Sequence, residues 1–270
     1  MDCVRYLLAA NDLPRSEAQM LLRHVLQAPR VWLIAHDTDP LPSRAVTDYR
    51  RLLERRLAGE PMAYLVGYRE FMSHRFVVTP AVLIPRPETE LLVETAVQHL
   101  QSLDAPRVLD LGTGSGAVAI SIALARPDAI MVATDISQQA LDVARQNAAD
   151  LSIRVEFFFG NWYDSLLDQP GFDLIVSNPP YIAANDPHLA QGDLRFEPEC
   201  ALTDGADGLD ALRVIVEGAS ARLNPGGVLW VEHGWDQAQA VRNLLRQACF
   251  RQVTSLPDLA GIERISGGYL

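Results

Sequence analysis

Residues 107–116 read Arg-Val-Leu-Asp-Leu-Gly-Thr-Gly-Ser-Gly, and residues 117–125 continue as an unbroken small, apolar run. The first five residues have the apolar character of a buried strand. Gly112, Gly114 and Gly116 then supply the backbone freedom for a sharp turn, and the run from Ala117 to Ala125 is a helix. Strand, glycine turn, helix is the opening unit of an α/β domain. Downstream the alternation continues. Residues 130–135 form a strand ending in Asp135, residues 140–150 a helix, 155–159 a strand, and 172–177 a strand running into Asn178-Pro179-Pro180-Tyr181. Leu209, Leu212, Ile215, Val216, Ala219 and Leu223 mark a helix with a wide apolar face. A strand at 228–231, a helix at about 236–248 and strands near 250–256 and 263–270 complete the pattern. Near-continuous apolar strands separated by helices predict a mostly parallel, doubly wound, Rossmann-like sheet covered on both faces.

Upstream, residues 1–60 read as helices. Ser16 is placed to cap one that carries Ala18, Leu21, Leu22, Val25 and Leu26. Ser43 is placed to cap another that carries Val46, Tyr49, Leu52, Leu53 and Leu57. Phe76-Val77-Val78 and Val82-Leu83-Ile84 flank Thr79-Pro80-Ala81 and suggest a hairpin. The expected domains are a helical bundle over 1–70, a hairpin linker over 71–86 and an α/β domain over 87–270.

The 270 residues are 49% hydrophobic and 21% charged, as in a globular protein. No apolar run approaches a membrane span. Met1-Asp2-Cys3-Val4-Arg5 opens an amphipathic stretch without a signal-peptide core, so the cytoplasm is the expected compartment. Cys3, Cys200 and Cys249 are too scattered for a zinc ribbon or disulfide framework, and buried free thiols are expected. No histidine pair has metal-ligand spacing, and His233 reads as a structural residue at a strand end. All 23 basic residues are arginine, which excludes Schiff-base lysine chemistry and the P-loop lysine. Residues 71–270 carry 13 Arg against 25 Asp and Glu. An acidic catalytic half disfavours duplex nucleic acid as a partner and favours a protein or small molecule.

Asp110 sits at the end of its strand, before the first glycine. A carboxylate there meets an ammonium, such as the α-amino group of a methionine moiety, and repels a pyrophosphate. Asp135 ends the next strand, where it can accept from both hydroxyls of a ribose. Thr113 and Ser115 are small polar residues that can also donate. Gly160-Asn161-Trp162 follows the third strand. Trp162 is positioned to cover an adenine face and Asn161 to read its edge, unless the indole only anchors the loop.

The turn at 178–181 follows the fourth strand and faces the same crevice. Its prolines fix φ and make it stiff. The Asn178 side-chain oxygen and the Pro179 carbonyl can hold the two hydrogens of a planar NH2 group, and Tyr181 can stack on its plane. Positive charge growing on that nitrogen strengthens both bonds in the transition state. These features together point to methyl transfer from S-adenosyl-L-methionine, with S-adenosyl-L-homocysteine as product.

The chain resembles the HemK/PrmC family, the glutamine methyltransferases of peptide chain release factors. The resemblance rests on Leu83-Ile84-Pro85-Arg86-Pro87-Glu88-Thr89-Glu90, on residues 110–117, on Ser177-Asn178-Pro179-Pro180-Tyr181-Ile182 and on Asp193-Leu194-Arg195-Phe196-Glu197-Pro198. Glu232-His233-Gly234 and residues 258–264 add to it. It covers nearly the whole chain. It implies a seven-stranded sheet with an antiparallel last strand, and methylation of the glutamine in the Gly-Gly-Gln loop of class 1 release factors. It further implies cofactor contacts from Gly112 to Gly116, Asp135, Trp162 and Asn178, a glutamine held by Asn178 to Tyr181, and release-factor docking on the N-terminal helices. Many relatives have aspartate where this chain has Asn161. Arg86 and Glu88 are expected either to order the hairpin or to pair with each other, and Arg195 and Glu197 leave the same choice. The alternatives are a glutamine on a ribosomal protein, an adenine amine on nucleic acid (the Asn-Pro-Pro-Tyr turn also occurs in DNA adenine methyltransferases) and a non-catalytic cofactor-binding module.

Overall fold

The computed structural model describes residues 2–270; Met1, where the expected amphipathic stretch and first domain begin, lies outside them. The chain divides into two compact units, one ending at Tyr68 and one running from Arg69 to Leu270.

The first unit holds five helices: α1 (Val4–Ala9), α2 (Arg15–Leu26), α3 (Arg30–Ala35), α4 (Ser43–Leu57) and α5 (Met62–Val66). Leu21 and Leu22 of α2, Val46, Tyr49 and Leu52 of α4, and Leu65 and Val66 of α5 form one buried cluster with Val4, Leu7 and Leu33. The expected serine caps do not form. Pro14 and Pro42 occupy the N-cap positions of α2 and α4, which puts Ser16 and Ser43 inside the first turn. An extended proline ahead of the first turn fixes the entry of the chain without a side-chain acceptor.

A hairpin follows, β1 (Tyr68–Phe71) and β2 (His74–Val77), all of it but Tyr68 in the second unit. It lies upstream of the expected position, and residues 82–84 are not a strand. The two-residue turn is Met72-Ser73, with φ of +48° and +63°. Neither is a glycine or asparagine, the usual sequence signal for that turn. Pro80 lacks a donor and suits an irregular segment better than a ladder.

The helix α6 (Glu90–Leu100), absent from the sequence reading, leads into β3 (Arg107–Leu111), α7 (Ala117–Ala125), β4 (Ile130–Asp135), α8 (Gln138–Asp150), β5 (Glu156–Phe159) and β6 (Phe172–Ser177). Then come α9 (Asp210–Ala219), β7 (Leu223–Glu232), α10 (Ala238–Gln247), β8 (Arg251–Pro257) and β9 (Glu263–Tyr269). Leu223, expected in a helix, opens β7 instead. Strand order is β5-β4-β3-β6-β7-β9-β8. The neighbours from β5 through β7 pair in parallel, whereas β9 is antiparallel to both β7 and β8.

Side chains alternate between the two faces of this sheet. Val108, Met131, Ala133, Leu174, Val176 and Val228 join α6 and α7 in one core. Leu109, Leu111, Val132, Ile175, Leu229 and Val231 join α9 and α10 in the other. Burial on both faces explains why these strands read as continuous apolar runs. The order reverses beside β3: the chain proceeds to β4 and β5 on one side and returns to β6 on the other. A crevice therefore opens at the carboxyl ends of β3 and β6.

Buried Asn147 on α8 ties the hairpin to the glycine turn. Its Oδ1 accepts from Val77 N at 2.7 Å, and its Nδ2 donates to Val77 O at 3.0 Å and to Ser115 O at 2.8 Å. Asn147→Ala would orphan three backbone groups. The expected loss is at least about 3 kcal/mol of unfolding free energy by urea titration, since each unsatisfied buried group costs on the order of 1–3 kcal/mol.

Candidate active site

The crevice is a cleft open to solvent, with about 970 Å³ of space in and over it, the solvent at its mouth included. It is lined by three kinds of segment: the glycine turn, the ends of β4 and β5, and the double-proline turn. The irregular stretch after the hairpin and residues 198–201 close it.

Hydrogen bonds fix the glycine turn from beneath. Gly112 N and Thr113 N donate to Thr134 O at 2.9 and 3.0 Å. Asp110 Oδ2 accepts from Thr113 Oγ1 at 2.7 Å and from Ala119 N at 3.2 Å. Asp135 grips from the side: its Oδ2 accepts from Gly114 N and its Oδ1 from Ser137 N, both at 2.8 Å. Each oxygen retains a lone pair for a hydroxyl donor. Gly112 has φ +71°, and a Cβ there would stand 3.3 Å from the Trp162 ring. Gly116 also has positive φ, and its Cβ would come within 2.8 Å of Ile120.

Of the residues expected at the site, Asp110, Gly112, Thr113, Gly114, Ser115, Asp135, Asn161, Trp162, Asn178 and Pro180 line this cleft. Gly116 does not; it packs under the turn against α7 and α8. Pro179 and Tyr181 line a smaller neighbouring cavity of about 320 Å³, which shares Leu83, Asn178 and Ala201 with the first. Trp162 lines the cleft and also packs against the α9 side of the core, which anchors its loop.

Asn178 Nδ2 donates to Thr89 Oγ1 at 3.1 Å, which leaves Oδ1 as an acceptor. The Tyr181 hydroxyl donates to Glu232 Oε1 at 3.2 Å, and the Tyr181 carbonyl accepts from Gln237 Nε2 at 2.9 Å. Thr89, Gln237 and Glu232 were not singled out from sequence. Thr89 lies within the family motif at 83–90 and Glu232 within that at 232–234, but neither was given a role there, and Gln237 carried no signal.

Arg86 does not pair with Glu88. Its guanidinium meets Glu197, whose side chain is fully buried, and Glu197 Oε2 also accepts from Ile84 N at 3.0 Å. The partners are 111 residues apart, so local spacing could not reveal them. The pair ties residues 84–86 to residues 197–201, both beside the two cavities. His233 is buried at the end of β7, with its Nδ1 donating to Gly234 O and its Nε2 accepting from Ser266 Oγ. Burial lowers its pKa, as expected of a structural imidazole. The three thiols are free but not buried: Cys200 and Cys249 are exposed, and Cys3 is half-buried. Cys249 follows the last helix in a left-handed turn, and Cys200 sits at the cleft rim.

Two aspartates and no arginine line the main cleft. Burial pushes Asp110 up to about 7, with the Asp135 charge adding to the shift and the bonds from Thr113 and Ala119 opposing it. Burial raises Asp135 as well. A site with this charge fits a cationic ligand and rejects a phosphate.

Comparison with known proteins agrees with this chemistry. Residues 2–67 match the family model described as the PrmC N-terminal domain, and residues 87–193 match the methyltransferase small domain. A release factor glutamine methyltransferase of Bordetella pertussis is 62% identical over 100% of both chains. The chain belongs to the release factor glutamine methyltransferase family. The Burkholderia pseudomallei relative is 54% identical, over 98% of this chain and 95% of its own, and that of Neisseria gonorrhoeae is 52% identical over 97% and 95%. Among solved structures, the T. thermophilus 16S rRNA N2 G1207 methyltransferase, in complex with AdoMet and guanosine, has the same fold. Its TM-score is 0.57 at 20% identity, over 75% of this chain and 49% of that one. A methyltransferase from Pyrococcus furiosus gives 0.54 at 18% identity, over 80% and 95%.

The raised Asp110 pKa has a consequence for stability. Its folded value of about 7 lies above the ordinary 3.8, so between these values the unfolded chain has released a proton that the folded chain keeps. Stability therefore falls as pH rises through that window. In urea unfolding of the ligand-free protein across that range, Asp110→Asn is expected to flatten the fall by up to about 4 kcal/mol. Glu232, also raised to about 7, retains its own share of the slope.

Proposed function

We propose that this protein transfers the methyl group of S-adenosyl-L-methionine to the side-chain amide nitrogen of the glutamine in the Gly-Gly-Gln loop of class 1 peptide chain release factors, in the cytoplasm. One observation supports this above the others: an anionic cleft without an arginine and a rigid amide acceptor, Asn178, share one wall. The bound cofactor supplies an electrophilic methyl group on a sulfonium. Asp110 is the counter-charge for its ammonium, and Asp135 accepts from its ribose hydroxyls. Trp162 covers its adenine and Asn161 meets the adenine edge. Thr113, Ser115, Gly112 and Gly114 form the floor, and Gly116 lets the turn enter α7.

The glutamine enters through the smaller cavity, beside Pro179 and Tyr181. Asn178 Oδ1 and the Pro179 carbonyl accept the two amide hydrogens, while Pro180 keeps the turn rigid. The amide lone pair is delocalised, and both acceptors favour the transition state, in which nitrogen becomes positive. No base need act first, because the proton leaves the nitrogen after it has been alkylated. The helices of the first unit are the proposed docking element for the release factor. The acidic α/β unit, with its 25 Asp and Glu against 13 Arg over residues 71–270, makes direct nucleic-acid contact an unfavourable reading. Among the described residues no helix is long and apolar enough to cross a membrane.

Purified release factor, incubated with this protein and S-adenosyl-L-methionine, is expected to gain one methyl group at the loop glutamine by mass spectrometry. A loop-glutamine variant is expected to gain none. Modification of a ribosomal protein or DNA, with release factor untouched, would reject the proposed substrate. Asn178→Ala is expected to lower kcat by about 10²-fold or more while product binding, read by calorimetry, is largely kept. Unchanged turnover in that variant would remove Asn178 from the mechanism.

A further inference from the structure

The smaller cavity, where the glutamine is proposed to enter, has one charged side chain in its lining, Arg86. Leu83, Pro179, Ile182, Leu194 and Leu202 make most of the rest apolar. The other polar side chains there are engaged: Asn178 Nδ2 donates to Thr89 Oγ1, and the Tyr181 hydroxyl donates to Glu232. Arg86 differs. Its Nη2 donates to Glu197, while Nε and Nη1 make no hydrogen bond among the described residues. Neither is sealed in the core, and the side chain is 29% exposed. The guanidinium thus keeps unused donors at the wall of the cavity.

A peptide that inserts a glutamine here brings main-chain carbonyls to the cavity mouth. Each one loses water, and a carbonyl left without a donor costs about as much as a lost hydrogen bond. A guanidinium suits that acceptor, being always charged, planar and weakly hydrated. The glutamine's own side-chain oxygen is the wrong acceptor. Positive charge there would draw electron density from the nitrogen that must attack. Glu197 keeps the cation ready: its side chain is fully buried, and its second oxygen accepts from Ile84 N at 3.0 Å. A buried ion pair is weak evidence for stability, since apolar groups of similar volume serve a core as well. What the pair does supply is a guanidinium fixed before substrate arrives, so little side-chain freedom is lost on binding.

We propose that Arg86 is a substrate-binding residue: its free edge donates to a main-chain carbonyl of the peptide segment that carries the glutamine, while Glu197 holds the guanidinium in place. The inference rests on the methyl-transfer reading above and deepens it, because it assigns a contact to the substrate backbone beyond the reacting amide. That carbonyl takes no part in the reaction. The contact is therefore equally strong in ground state and transition state, and it acts on KM rather than kcat.

The test uses the full chain with S-adenosyl-L-methionine and purified release factor. Arg86→Lys keeps a cation for Glu197 but concentrates its donors at one point and presents no second edge. It is expected to raise KM for the release factor about tenfold or more, the scale of a hydrogen bond to a charged donor. The kcat, the KM for S-adenosyl-L-methionine and product affinity by calorimetry are expected to stay within about twofold of wild type. A merely structural pair predicts the opposite, because lysine restores the charge partner and the KM with it. Pro198, Cys200 and Ala201 line the cofactor cleft, so a segment loosened by loss of the pair shows itself as lost product affinity. The double variant, Arg86→Met with Glu197→Gln, removes both charges at similar size and is expected to give the same rise in KM. Wild-type KM for the release factor in Arg86→Lys, or a loss of product affinity that accompanies the rise, overturns the inference. If Arg86→Lys fails to fold, the double variant decides by the same criteria. If wild type leaves the release factor unmethylated, the proposed function fails and this assignment with it. Methylation by wild type with an unchanged KM in the variant sinks the assignment alone.

Discussion

Everything at the site depends on two neighbouring strands ending at the same level. In the β3–β6 pair, Leu111 stands opposite Ser177, and the Ser177 hydroxyl donates to the Leu111 carbonyl at 2.7 Å. The glycine turn starts one residue after the first, and the double-proline turn one residue after the second. A slip of one residue would send the side chains of β6 to the wrong core and carry Asn178 away from the cleft. Both faces of the sheet are buried, so that slip is heavily disfavoured. The same packing that stabilises the domain sets the distance between the two turns.

On this frame the cleft is held by acceptors. Asp110, Asp135 and Thr134 O capture backbone and hydroxyl donors of the glycine turn, and Asn147 fastens the turn from behind. The turn is therefore set before a ligand arrives, and binding need not meet the full entropic cost of ordering it. The raised pKa values of the two aspartates are the cost of this arrangement. A cationic ligand relieves it by stabilising their charged forms.

The strands of the sheet were legible because burial on both faces leaves long apolar runs. Residues 107–111, 130–135 and 172–177 begin and end where the sequence places them. Most of the cleft was legible too, since Asp110, Asp135 and Asn178 each lie at or next to the end of a strand and a doubly wound sheet brings those ends together. The hairpin was misplaced because Met72 and Ser73 adopt left-handed backbone without the residue types that advertise it. Helix starts were misassigned at Ser16 and Ser43 because a proline, not a hydroxyl, occupies each N-cap. The Arg86–Glu197 pair and the reach of Glu232 to the turn depend on tertiary geometry alone. Nothing in local spacing encodes partners 111 or 51 residues apart.

The strand order also bears on how the domain is assembled during synthesis. β9 follows β8 in the chain yet lies between β8 and β7, so β8 has no neighbour until β9 arrives. A ribosome releasing this chain from its amino end would expose the outer side of β7, including the backbone beside Glu232, until residues 263–269 emerge. Up to that moment the nascent sheet carries an open apolar edge, which chaperones are suited to shield.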